Sequence, residues 1–298
     1  MIILNSIKER GILKNPILYV VLTLIVSYLS IIFSGVFGLF YGFMFFNVFP
    51  FSDYLLILVE LSGFIFLTLP VIFFSKVIYK QPLSSLGFTK KSLLKDYLKG
   101  WLYGAAILVI CVIIMMMFGV VRISKLEFNG MLVLQFIPLI IVWAIQGNAE
   151  EVLARGFLLT GISRKINILT GIVISSLFFS AMHLGNNGLD ILPLIDLFLF
   201  AIFASLLMIK SKNIWVASGF HAAWNCFQGN VFAFPVSGTN TGNAFIHVTT
   251  HGPSWLSGGK FGVEGSMVSI LIQIILIAWL YYDIFIKGKK RITDKLDF

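Results

Sequence analysis

A chain of 298 residues in which 58% are hydrophobic and only 12% charged is not a soluble domain, because no core of that size hides so much apolar surface from water. The net charge of +9 does not mark a nucleic-acid partner: the basic residues sit in short clusters between apolar runs, and no phosphate-binding loop, dinucleotide fingerprint or nucleic-acid module is present. Cys111 and Cys226 lie inside apolar segments and supply no disulfide framework, so the redox compartment stays open.

In chain order, Lys8, Arg10 and Lys14 precede an apolar run that is too long for a signal-peptide core and has no small-residue cleavage site. It reads as a retained first span over 17–40. Further runs predict spans over 54–78, 100–121, 131–160, 167–184, 189–209, 214–234 and 266–286. Most are near the roughly 20 residues that cross the hydrocarbon core. The runs are continuous and lack the period-two alternation of an outer-membrane barrel. The expected fold is therefore all-α, a polytopic transmembrane helical bundle of about eight spans, with no internal repeat. Residues 80–99 read as a basic, partly amphipathic connection on the lipid headgroups, and 235–265 as a long outer loop of turns rich in Gly, Ser and Thr.

With the N-terminus inside, the connections on the inner side hold 18 of the 22 Lys and Arg residues. The outer side holds only Arg122, Lys125 and Lys260, and Arg155 lies within a span. That bias predicts both termini cytoplasmic in the cell membrane. The expected organisation is an N-terminal part with two spans over 1–89, a core over 90–290 and a cytoplasmic tail over 291–298.

Ionisable side chains at bilayer depth cost roughly 2.5–3.5 kcal/mol on insertion scales, so each needs a partner, a water cavity or a task. Span four carries Glu150, Glu151 and Arg155. Glu151 and Arg155 are i,i+4 neighbours with the acid first, the favourable order for an ion pair. Glu150 points about 100° away and is left to face a cavity, or else all three form one structural network. Span five carries Phe179 and His183 on one face, and the imidazole reads as either a packing group or a catalyst. Span seven carries His221 and Asn225 on one face beside Ala222 and Ala223, an arrangement equally suited to an interhelical clamp or to oxyanion donors. Together, a carboxylate, two imidazoles and an amide are the parts needed for water-driven hydrolysis. The set Glu150, His183 and His221 also has the composition of a hydrolytic zinc site, although no HExxH helix is present.

The segments EEVLAR (150–155), FSAMH (179–183) and HAAWN (221–225) resemble, in order, the EExxxR, FxxxH and HxxxN motifs of the CAAX-protease and bacteriocin-processing family, also called CPBP or Abi. The resemblance covers about residues 90–290. It implies an intramembrane endopeptidase acting on a membrane-associated protein or peptide. Glu150 would be the general base, His183 would orient the water, His221 and Asn225 would stabilise the oxyanion, and Glu151, Arg155 and Phe179 would support them. It leaves open a divalent metal such as zinc and a metal-free, glutamate-activated water.

Two other classes compete: a transporter using Glu60, Glu150, Asp190 and Asp196 as a path, and a non-catalytic immunity or scaffolding protein on the same fold. His247 and His251 have ligand-like spacing and otherwise read as solvated loop residues. Straight spans set His183 nearer the outer end than Glu150 and His221, an offset that Pro138 and Pro193 leave room to correct.

Overall fold

The structure, a computed structural model, describes residues 15–287. The basic residues expected at 8–14 and 289–295, and the tail over 291–298, lie outside the described residues. The chain forms α1 (Pro16–Phe46), α2 (Asp53–Ile78), α3 (Leu93–Met117), β1 (Val121–Leu126) and α4 (Gly130–Lys165). It continues with α5 (Ile168–Ala181), α6 (Ile191–Ser211), α7 (Trp215–Cys226), β2 (Ile246–Thr250) and α8 (Met267–Ile286). Local capping marks the helix starts: Asn15, Ser52, Asn129, Asn167, Asp190 and Ser266 each accept a backbone N–H of a first turn.

The helical membrane bundle is as expected, but the span count is not. Among the described residues six helices are long and apolar enough to cross a bilayer: α1, α2, α3, α4, α6 and α8. Helix α5 has 14 residues and α7 has 12, against about 20 for a full crossing. The apolar run at 167–184 is longer than its helix because Met182–Leu184 form a turn. In α7 every residue from Val216 to Cys226 is buried, so its surroundings are other helices and it has no lipid thickness to match. Beyond Cys226 the chain goes on in wider, π-type turns over Phe227–Val231.

The short helices still reverse the chain, and two ends of the bundle result. At one end Arg164 donates to Ser85 O (2.8 Å), Asn213 to Asp96 (2.7 Å) and the Trp215 indole to Thr89 O (2.7 Å), and Lys210 pairs with Asp283 (3.0 Å). At the other, Asn186 donates to Ser237 O (2.9 Å), and β1 pairs antiparallel with β2 around an irregularity between Ile123 and Lys125. The inter-helix basic clusters thus share one end, as the charge count required.

The connection over 80–99, expected on the headgroups, is partly packed into the protein. Helix α3 begins at Leu93, and a single 3₁₀ turn over Leu83–Leu86 buries Leu86 within the protein. The chain turns back at Gly87, with φ +87°, and its carbonyl accepts the Ile214 N–H. A Cβ at that position would lie 2.6 Å from Met208 Cε, so conformation and space both demand glycine. The outer loop, read as turns, supplies β2. Neither short strand stood out beside the much stronger helical hydrophobicity.

Helix α7 owes its central place to small residues. Gly100 and Gly104 of α3 form a GxxxG face against which the α7 backbone lies in direct contact, and Gly147 of α4 meets Ala222 on another side. A Cβ at Gly104 would overlap Phe220 O, one residue from His221. Gly104→Leu is expected to lose at least about 1–3 kcal/mol through overpacking. A lower melting temperature in detergent checks this, with lipid-facing Ile110→Leu unchanged as the control.

Candidate active site

The close α4–α7 contact brings the polar residues of the two helices together. Glu151 is completely buried, and its Oε1 lies 2.9 Å from Arg155 Nη1 and 2.9 Å from His221 Nδ1. The ion pair read from i,i+4 spacing is present, and the same carboxylate also holds an imidazole of another helix. Arg155 sits on π-type turns that begin at Val152, with its guanidinium 4.4 Å from the Phe179 ring centroid. Phe179 and Phe200 each present a ring at steep angles to His221, with centroids 5.8 and 5.1 Å away. His221 is therefore fixed by one hydrogen bond and two aromatic walls, with Nε2 directed toward Glu150 Oε2 at 3.7 Å.

Glu150 is buried and differently engaged. Gln146 Nε2 donates to its Oε1 (2.8 Å), and Asn225 Nδ2 donates to Gln146 Oε1 (3.0 Å). Glu150 Oε2 has no hydrogen-bond partner. His183 lies on the turn after α5, half-buried, with Nδ1 2.9 Å from Phe179 O. Glu150, His183, His221, Asn225 and Phe179 line one cavity of about 730 Å³. The anticipated height mismatch disappears because α5 ends at Ala181 and α7 is a short, fully buried helix.

Two site residues escaped the sequence reading. Gln146 lies four residues before Glu150, so its polarity on the same face was an available signal. Glu264 lies outside the motifs, in a 3₁₀ turn before α8. It accepts from the Trp224 indole (3.1 Å), Ser237 N (2.9 Å) and Ser237 Oγ (2.7 Å), tying the outer loop to the cavity. Burial raises its carboxyl above the usual range, while the Ser237 hydroxyl, His183 and His221 oppose that shift.

The conditional metal set does not assemble. Among the described residues no group of three or more His, Cys, Asp or Glu is arranged to hold an ion. His247 stands on β2, not in a free loop, 3.3 Å from Glu127, and His251 contacts Thr249 (3.1 Å). Paired Lys125, followed by His247, holds the Glu127 carboxyl below its ordinary value. Nor do the other acids form a path: Asp190 caps α6, and fully buried Asp196 accepts from Gln273 (2.9 Å), leaving Glu60 and Glu150 on the cavity.

Residues 130–227 match the family model described as type II CAAX prenyl endopeptidase Rce1-like. The Rce1-like match agrees with the resemblance carried by the three motifs, and it contains Glu150, Glu151, Arg155, Phe179, His183, His221 and Asn225. It begins with the first residue of α4 and ends just past α7, so α1 and α2 and the outer loop lie outside it. No curated protein matches the chain. The Rce1-like segment and the membrane-crossing helices together make this a multi-pass membrane protein related to a protease family.

Proposed function

We propose that the chain is an intramembrane endopeptidase that hydrolyses a membrane-proximal peptide bond, with CAAX-type processing as one substrate class. One observation carries this reading. Glu150, whose Oε2 has no hydrogen-bond partner, lines one cavity with His183, His221 and Asn225. In this mechanism Glu150 takes a proton from a water oriented by His183. The resulting hydroxide attacks the carbonyl carbon, and the carbonyl oxygen takes up the negative charge. His221 Nε2–H and Asn225 Nδ2–H donate to that oxyanion. The C–N bond then breaks as Glu150 returns its proton to the leaving nitrogen.

His221 must carry both ring protons in this scheme, because Nδ1 faces Glu151 while Nε2 serves the oxyanion. The Glu150 and Glu151 carboxylates are then balanced by Arg155 and the imidazolium. The part over 90–290 carries the chemistry, and α1 and α2 contribute to the wall of the chamber, in a cell membrane with the basic end cytoplasmic. Glu150→Ala is expected to abolish cleavage of membrane peptides in proteoliposomes while leaving detergent melting unchanged. Retained cleavage would remove Glu150 from the mechanism. Asn225→Ala is expected to lower kcat by about 10²–10³ with KM little changed, as loss of one oxyanion donor does, and initial-rate kinetics read the split.

A further inference from the structure

The cavity extends well beyond the catalytic groups, between α1 and α2. Gly35, Gly38 and Gly42 of α1 line it with a smooth face, and Leu39 and Phe43, also lining it, are 79% and 66% exposed. The chamber thus reaches the lipid-facing perimeter of the bundle. Glu60 of α2, an exposed residue in a helix long and apolar enough to cross the membrane, also lines the cavity.

Glu60 differs from the other two carboxylates of the chamber. Glu150 is held by Gln146, and Glu264 by Ser237 and Trp224. Glu60 has no hydrogen-bond or ion-pair partner among the described residues, and no Lys or Arg lines the cavity. A carboxylate within a membrane span needs a partner, a water cavity or a task, and here the protein provides the cavity without a partner. Glu150, on the same cavity, likewise has an Oε2 with no hydrogen bond, although His221 Nε2 lies 3.7 Å from it.

We propose that Glu60 forms a subsite for a cationic side chain, a lysine ammonium or an arginine guanidinium, on the membrane-embedded substrate peptide. This rests on the peptidase reading for the identity of the occupant. A substrate offering a free carboxylate at that place would meet like charge, so the chamber discriminates by sign as well as by apolarity. Glu60 is a specificity residue in this account and takes no part in bond cleavage.

The test uses the full chain in nanodiscs of phosphatidylcholine and phosphatidylglycerol, whose headgroups carry no primary amine. Three fluorescent apolar peptides of one sequence bear Lys, norleucine or Glu at a single position, and that position is scanned along the peptide. Anisotropy on a Glu150→Gln background reads affinity without turnover. At one position the Lys peptide is expected to bind about tenfold more tightly than the norleucine peptide, about 1.4 kcal/mol. Glu60→Gln should erase that preference, and Glu60→Lys should transfer it to the Glu peptide. Equal affinities at every position, or a preference that survives Glu60→Gln, would overturn the proposal. Cleavage by the chain with Glu150 intact is followed separately. Charge-dependent binding without cleavage leaves the subsite standing and removes the peptidase reading, and cleavage indifferent to charge does the reverse.

Discussion

Arg155→Ala is expected to be the most destabilising single substitution in the chain. The guanidinium is fully buried, paired to Glu151 at 2.9 Å and stacked on Phe179 at 4.4 Å. Removing it leaves the buried Glu151 carboxylate without its cation and opens a void beside Phe179. Breaking a buried pair from one side costs about 3–5 kcal/mol. Glu151→Ala should fall in the same range, because it strands the guanidinium and frees His221 Nδ1. Both variants should lose most of their folded yield in detergent. The double substitution Glu151→Gln with Arg155→Met should melt closer to the starting protein, since no buried charge is then left alone. It should nevertheless be inactive, because His221 loses its ionic anchor. A double variant no more stable than the singles would show that the pair is not the source of the loss.

The second large effect is expected at His221. Two contacts meet on one ring that lines the cavity: Nδ1 is bound to Glu151, and Nε2 lies 3.7 Å from Glu150. His221→Phe keeps the aromatic packing against Phe179 and Phe200 but removes the hydrogen bond to Glu151 and the Nε2 group beside Glu150. Loss of one oxyanion donor alone is worth about 10²–10³ in kcat. His221→Phe should exceed that, since Glu151 also loses its hydrogen-bonding neighbour on α7. His221→Gln, which can still donate once to Glu151, should recover stability without recovering turnover. Recovery of rate by His221→Gln would place His221 among structural residues only.

Much of this site was legible in the sequence because its parts lie at helical spacings. Glu151 and Arg155 are four residues apart, as are Phe179 and His183, and His221 and Asn225, so each pair shares a face before any tertiary contact forms. Tertiary approach was not legible. The coupling of Glu151 to His221 depends on Gly100, Gly104 and Gly147 letting α7 sink among its neighbours. Glycine carries no chemical signature of which helix will approach it. Glu264 reaches the cavity through a turn more than 30 residues after the last motif, where no periodicity operates. The count of eight spans failed for a related reason. Hydropathy measures whether a segment avoids water, and α7 avoids it among other helices as completely as a lipid-facing span does. The basic residues gave the better topological signal, because charge pins connections to one end whether or not a helix crosses the whole bilayer.

The proposed attack by a water activated by Glu150 and oriented by His183 is tested directly by an isotope measurement. The purified chain in proteoliposomes is given membrane peptides in water enriched in ¹⁸O, and the products are read by mass spectrometry. The account predicts one heavy oxygen in the newly formed carboxyl group, and no product at all from a correctly folded Glu150→Gln variant. Product that forms without the label, or at an undiminished rate in Glu150→Gln, would contradict it.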